Sequence, residues 1–306
     1  MVFNILNLPF LGPSSSKLKC HNRPSREKPM FYYAPRRNAI AYLLWRFLLS
    51  NSGSFVAWFD AFFFGPSRGM NDYDLLAASY KKSAVKPDKR YSILPTVLKM
   101  VGDCTGKTVI DMGCGTGFFT LPLAELGAST VCGVDNSREQ IKIASRASPH
   151  SAIHYTVGDI FIQHGGPVDV INAPFVVNYA RTIPTLRHFF GLVHSSLRKD
   201  GKAVFVVDLP NGKNLERFGA AKTLLGPHAD ETVIRINLSN EERKICSLTA
   251  VFYTPQTIGR LLRKVGFRNI CWHRPVVSEE GIRVMGADFW KDYTADPELG
   301  YLTAEK

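Results

Sequence analysis

The sequence predicts an α/β fold: a doubly wound, mostly parallel sheet with helices on both faces. Three observations predict it. From Met70 onward, short apolar runs suited to strands alternate with amphipathic stretches suited to helices. A glycine-rich turn joins the first strand to the helix after it. Acidic residues then recur near the carboxyl ends of the first three strands, at Asp111, Asp135 and Asp159.

Two helices lead, over residues 73–79 and 93–101. Strands are expected at 108–112, 130–134, 153–157, 168–172, 203–207 and 269–273, with 299–303 as a final one. Helices fall between them at 117–126, 138–145, 182–197 and 255–265. The last should stop at Gly266, because glycine enters the left-handed conformation that closes a helix without steric cost. Residues 210–252 form a long insertion after the fifth strand. It reads as a helix at 214–225 and a strand pair at 232–238 and 245–253. An insertion at the ligand end of such a sheet is commonly a substrate cover. The aromatic, amphipathic stretch 279–293, with Phe289, Trp290 and Tyr293, reads as core packing.

Charge sets residues 1–69 apart. The whole chain carries +12, and this segment holds nine Lys and Arg against Glu27 and Asp60 alone. The remaining 29 basic and 24 acidic residues leave a modest excess, which argues against nucleic acid as a partner. The apolar stretch 39–64 is broken by Arg46, the polar run 50–54 and Asp60, so no uninterrupted run reaches the roughly 20 residues that span a bilayer. Three readings of 1–69 stand. It is an inert extension upstream of a start at Met70, an organelle-targeting segment, or an interfacial segment giving weak membrane contact through 39–64. The expected organisation is therefore a basic N-terminal extension, 1–69, and one domain, 70–306. The expected address is cytoplasmic, with mitochondrial or membrane-associated placement as the alternative. Cys20, Cys104, Cys114, Cys132, Cys246 and Cys271 are scattered without paired spacing, so they read as reduced thiols. No His, Cys and Asp cluster has metal-ligand spacing, and no metal is expected.

The chemistry concentrates in Asp111-Met112-Gly113-Cys114-Gly115-Thr116-Gly117. Alternate glycines let the backbone turn sharply and approach a ligand, and the helix that follows aims free N–H groups at it. Asp135-Asn136 closes the second strand, where a carboxylate accepts hydrogen bonds from ribose hydroxyls. Asp159-Ile160 closes the third, where the acid can accept from an adenine amine while Ile160 packs on the ring. Each feature has a structural alternative: a plain turn, a helix cap at Asp135, a solvated loop acid at Asp159. All three in phase with the strands describe one crevice at the carboxyl edge of the sheet.

With Gly133-Val134-Asp135-Asn136-Ser137, Val157-Gly158-Asp159-Ile160, Leu197-Arg198-Lys199-Asp200-Gly201 and Val265-Gly266-Phe267, residues 70–306 resemble the class I S-adenosylmethionine-dependent methyltransferases. The likeness is nearest to small-molecule enzymes of the ubiquinone- and toxoflavin-biosynthesis kind, through Asn178-Tyr179-Ala180 and Tyr73-Asp74 with Tyr80. It implies a Rossmann-like seven-stranded sheet with an antiparallel final strand. It also implies S-adenosyl-L-methionine as cofactor, with Asp111, Gly113, Cys114, Gly115 and Gly117 near its methionine part. Asp135 would meet the ribose, with Asn136 also in the cofactor site, Asp159 and Ile160 would meet the adenine, and Tyr80 would close over the whole. A nicotinamide site is the rival for a glycine turn. Here the third glycine comes one residue early, and Asp111 would repel a pyrophosphate but attract an ammonium.

Acceptor chemistry is less marked. Asn172-Ala173-Pro174-Phe175 ends the fourth strand and is similar to the Asn-Pro-Pro-Phe motif of amine-methylating enzymes, except for Ala173. Asn172 is otherwise a strand end lining the cofactor pocket. Asp208, ending strand five, and His164, following Asp159, are the candidate general bases. His154, His188 and His194 read as structural. The expectation is methyl transfer to an oxygen, nitrogen or carbon of a small molecule. A protein or nucleic-acid N-methyltransferase and a non-catalytic cofactor-binding relative are the alternatives.

Overall fold

The computed structural model describes residues 86–306 apart from 148, 163–165, 212–215, 219 and 240–243. The expected helix at 73–79, the boundary at Met70 and the segment 39–64 lie outside the described residues. A π-helical turn, Lys89–Ile93, runs directly into α1 (Leu94–Val101). Strands and helices then alternate: β1 (Thr108–Met112), α2 (Thr120–Glu125), β2 (Thr130–Asp135), α3 (Arg138–Ala147), β3 (Ile153–Val157), β4 (Val168–Pro174), α4 (Ile183–Ser196) and β5 (Leu197–Asp208). After the insertion come α5 (Pro255–Val265), β9 (Arg268–His273), α6 (Glu279–Met285), α7 (Ala287–Ala295) and β10 (Leu299–Glu305).

Seven strands form one sheet in the order β3-β2-β1-β4-β5-β10-β9, with β10 antiparallel to both neighbours. The reversal of order between β1 and β4 opens the ligand crevice at their carboxyl ends. Strand alternation divides the apolar side chains between two faces. Ala203, Phe205 and Val207 of β5 join Leu186, Phe189 and Phe190 of α4 and Ile258 and Leu262 of α5. Val204 and Val206 turn the other way, onto the cluster of Val97 and Met100 of α1 and Leu123 of α2. Local signals fix the helix ends. Thr254 caps α5 by accepting from Thr257 N, Pro255 sits in the first turn, and Gly266 closes the helix at φ +110°.

Two expectations are corrected. The helix expected from Gly117 begins at Thr120, because Gly117 has φ +84°, outside the helical region. The helix expected at 214–225 is instead a 3-10 turn, Glu216–Phe218, and strand β6 (Ala220–Leu224). Pairing overrides the helical pattern there. β6 forms an antiparallel meander with β7 (Thr232–Ser239) and β8 (Lys244–Phe252), and Ala220 and Leu224 pack on that sheet's own core of Ile234, Ile236, Leu248 and Phe252. The aromatic stretch packs as expected: Phe218 stacks on Trp290 at 5.6 Å between ring centroids, beside Tyr293.

Candidate functional site

The glycine turn hangs from β2. Gly113 N and Cys114 N both donate to Val134 O, at 2.7 and 3.0 Å, which folds the turn back across the end of that strand. All three glycines have positive φ, but for different local reasons. A Cβ on Gly113 would meet Val176 Cγ1 at 2.5 Å, and one on Gly117 would meet the Tyr155 hydroxyl at 2.5 Å. These two positions are small because protein fills the space. A Cβ on Gly115 would meet nothing nearer than Gln140 Oε1, at 3.8 Å. Gly115 alone of the three faces open space, as a ligand cradle requires.

Asp135 braces that cradle. Its Oδ2 accepts from Gly115 N and its Oδ1 from Ser137 N, each at 2.9 Å. Asp111 sits beneath and is fully buried. It accepts from Thr120 Oγ1 at 2.6 Å and from Asn172 Nδ2 at 2.8 Å, so both its oxygens are engaged by protein. Burial pushes its carboxyl up to about 7 despite those two hydrogen bonds, and the charge of Asp135 pushes the same way. Asn172 is equally buried, and its Oδ1 has no protein partner. Cys114 is buried beside them, and burial raises its thiol, which disfavours a thiolate there.

At β3, Ile160 is buried, while Asp159 is exposed and accepts from Phe161 N at 2.9 Å. Asn136 is half-buried next to Asp135. Tyr80 and His164 lie outside the described residues. His154 and His188 are exposed, and His194 packs edge-on against Phe267.

Asp208 ends β5 as expected. Its carboxylate pairs with Lys222 of β6 at 2.7 Å, with only 7% and 8% of the two side chains exposed. Lys222 also donates to Glu298 O, and Glu298 Oε1 accepts from Asn211 N. Asn178 ties the same region together. It accepts from Asp208 N at 2.8 Å and donates to Asp208 O and Val251 O. Asp208 therefore joins the insertion to the end of β5.

Sequence reading also missed Thr120, Lys222 and Gln140. A signal for the last existed: Ser137-Arg138-Glu139-Gln140 is a capping-box pattern. Phe175, at the end of the Asn172–Phe175 motif, takes φ +63°, a strained conformation for an aromatic residue.

The family described as "Methyltransferase domain" matches residues 87–271. The chain is 27% identical over 149 residues to a Haemophilus influenzae protein of uncharacterised function, covering 45% of this chain and 58% of that one. It is 34% identical over 103 residues to ribosomal protein L11 methyltransferase of Photobacterium profundum, a third of each chain. The chain thus spans less than two thirds of either relative. Among solved structures, DhpI bound to S-adenosylhomocysteine is similar at a TM-score of 0.52 and 18% identity, over 78% of this chain and 98% of DhpI, a likeness of fold.

Proposed function

Because the chain belongs to the methyltransferase-domain family and carries a class I fold, its cofactor is S-adenosylmethionine, and we propose that it passes the methyl group to an oxygen, nitrogen or carbon of a small molecule. The bound cofactor supplies a methyl carbon already activated by its sulfonium. What remains for the protein is to bind, to orient and to exclude water. The observation that carries the cofactor assignment is the open face of Gly115, set between Asp135 and Gln140.

In this reading Asp135 and Asn136 hold the ribose, and Ile160 packs on the adenine near Asp159. The turn Gly113–Gly117 lies along the methionine part. Asp111, out of reach behind Thr120 and Asn172, acts through position, stiffening the turn; burial raises its carboxyl, and an ammonium bound above it would favour the ionised form. The insertion supports a small acceptor. It carries its own apolar core and is locked to the end of β5 by the Asp208–Lys222 pair, as suits a cover over a confined pocket. We assign Asp208 to that docking role rather than to proton abstraction. A protein acceptor is the second reading, favoured by the local match to the ribosomal-protein enzyme.

The test uses the full 306-residue chain. Calorimetric titration with S-adenosylhomocysteine should give a Kd on the order of micromolar, with no heat from NAD. Methyl-labelled cofactor is then incubated with a fractionated lysate. Label in the small-molecule fraction is expected. Label in precipitated protein would replace this reading with the second. Cofactor binding without label in any fraction would leave a binding protein that does not catalyse.

A further inference from the structure

We propose that Gln140 is a specificity residue of the cofactor site, its side-chain oxygen accepting a hydrogen bond from a ribose hydroxyl beside Asp135. The proposal rests on the cofactor reading above and deepens it.

Gln140 stands in the first turn of α3, placed there by a half-made capping box. Its backbone N–H donates to Ser137 Oγ at 3.2 Å, as the motif requires. The other half would have the Gln140 side chain accept from Ser137 N. That N–H donates instead to Asp135 Oδ1 at 2.9 Å. Gln140 Oε1 is thereby released, and it has no hydrogen-bond partner in the protein although the residue is only 2% exposed. A buried acceptor left unmade is a net cost to the fold, so its retention calls for an external donor.

Its position names that donor. Gln140 Oε1 is the nearest atom to the open face of Gly115, and Gly115 N is held by Asp135 Oδ2. The free oxygen and the Asp135 carboxylate therefore border the same space. The cofactor has three kinds of donor: ribose hydroxyls, the adenine amine and the methionine ammonium. The ammonium suits the buried carboxyl of Asp111 at β1, and the adenine amine lies toward Asp159 at β3. A neutral amide oxygen next to the β2 acid suits the hydroxyls between them, one for each acceptor.

Gln140→Met keeps length and apolar bulk but deletes the acceptor. It should weaken S-adenosylhomocysteine and 5′-methylthioadenosine to a similar extent, roughly ten-fold, because the contact is to the half they share. The unliganded melting midpoint should hold or rise, since an unpaired buried oxygen has been removed. If this variant does not fold, Gln140→Asn withdraws the oxygen by one methylene and should weaken both probes likewise. Wild-type affinity in the folded variant would overturn the proposal. So would a loss confined to S-adenosylhomocysteine, or a lowered unliganded midpoint that accounts for the weaker binding. A wild-type chain that binds neither probe would instead overturn the cofactor reading itself.

Discussion

At Asp111, burial and charge act against each other. The carboxyl ordinarily titrates near 3.8, and burial lifts it to about 7 in the fold. A raised folded value means that the protonated form is favoured in the native state. Its stabilising contribution is therefore complete below about pH 4 and is lost as pH rises through 7. Asp111→Asn removes this dependence while keeping an oxygen for Asn172 Nδ2, and the Thr120 hydroxyl can reverse its role. Measured by urea unfolding, the stability of Asp111→Asn relative to wild type should improve as pH rises from about 4 to about 7 and level off above that. A constant difference would mean that Asp111 does not titrate in this range. The same residue scale separates the three glycines. Gly115→Val should abolish S-adenosylhomocysteine binding while the far-UV spectrum keeps its native form, because the new side chain fills space that no protein atom occupies. Its φ of +55° is also unfavourable for a β-branched residue. Unimpaired binding would remove Gly115 from the cofactor site.

At the scale of elements, the insertion is a small sheet joined to a large one. Its own core of Ile234, Ile236, Leu248 and Phe252 explains why it forms, and the Asp208–Lys222 pair and Asn178 explain where it sits. A buried ion pair adds little net stability, but breaking it from one side strands a charge. Lys222→Met should therefore cost about 3–5 kcal/mol of unfolding free energy. The double variant Asp208→Asn with Lys222→Met should recover most of that. A full double-mutant cycle by urea denaturation measures the coupling, and purely additive losses would mean that the two side chains do not depend on each other.

Across the whole molecule, stability concentrates where the central strands meet their covering helices. Phe205 of β5 lies against Phe189 and Phe190 of α4, with ring centroids 6.5 and 5.5 Å away, and is completely buried. Phe205→Ala should cost about 3–5 kcal/mol through lost transfer energy and the cavity it leaves. Trp272 on the edge strand β9 is 40% exposed, so Trp272→Ala should cost clearly less despite the larger side chain removed. Thermal unfolding of the two variants side by side checks the ranking, and a reversed order would place the mechanical centre at the β10–β9 edge. Among the described residues, no helix is long and apolar enough to cross a membrane.

Most of the fold was legible because its signals are local. Thr254, Pro255 and Gly266 mark both ends of α5 within a dozen residues, and the alternation Ala203 to Val207 marks a strand covered on both faces. The phase of Asp111, Asp135 and Asp159 with their strands was likewise written in the chain. Local pattern failed at β6, where residues 220–224 suit a helix as well as a strand until β7 pairs with them. The candidate site divides in the same way. By itself the sequence determined the sheet, the glycine turn and the acids at the strand ends, since each depends on spacing along the chain. Only the tertiary structure decided that Asp208 belongs to Lys222, that Asp111 lies behind Thr120 and Asn172, and that Gln140 has an oxygen to offer. Those outcomes depend on which donor and acceptor pair once the chain has folded: Asn172 and Lys222 come from other strands, and at Gln140 the Asp135 carboxylate takes the Ser137 N–H that a capping box would have used.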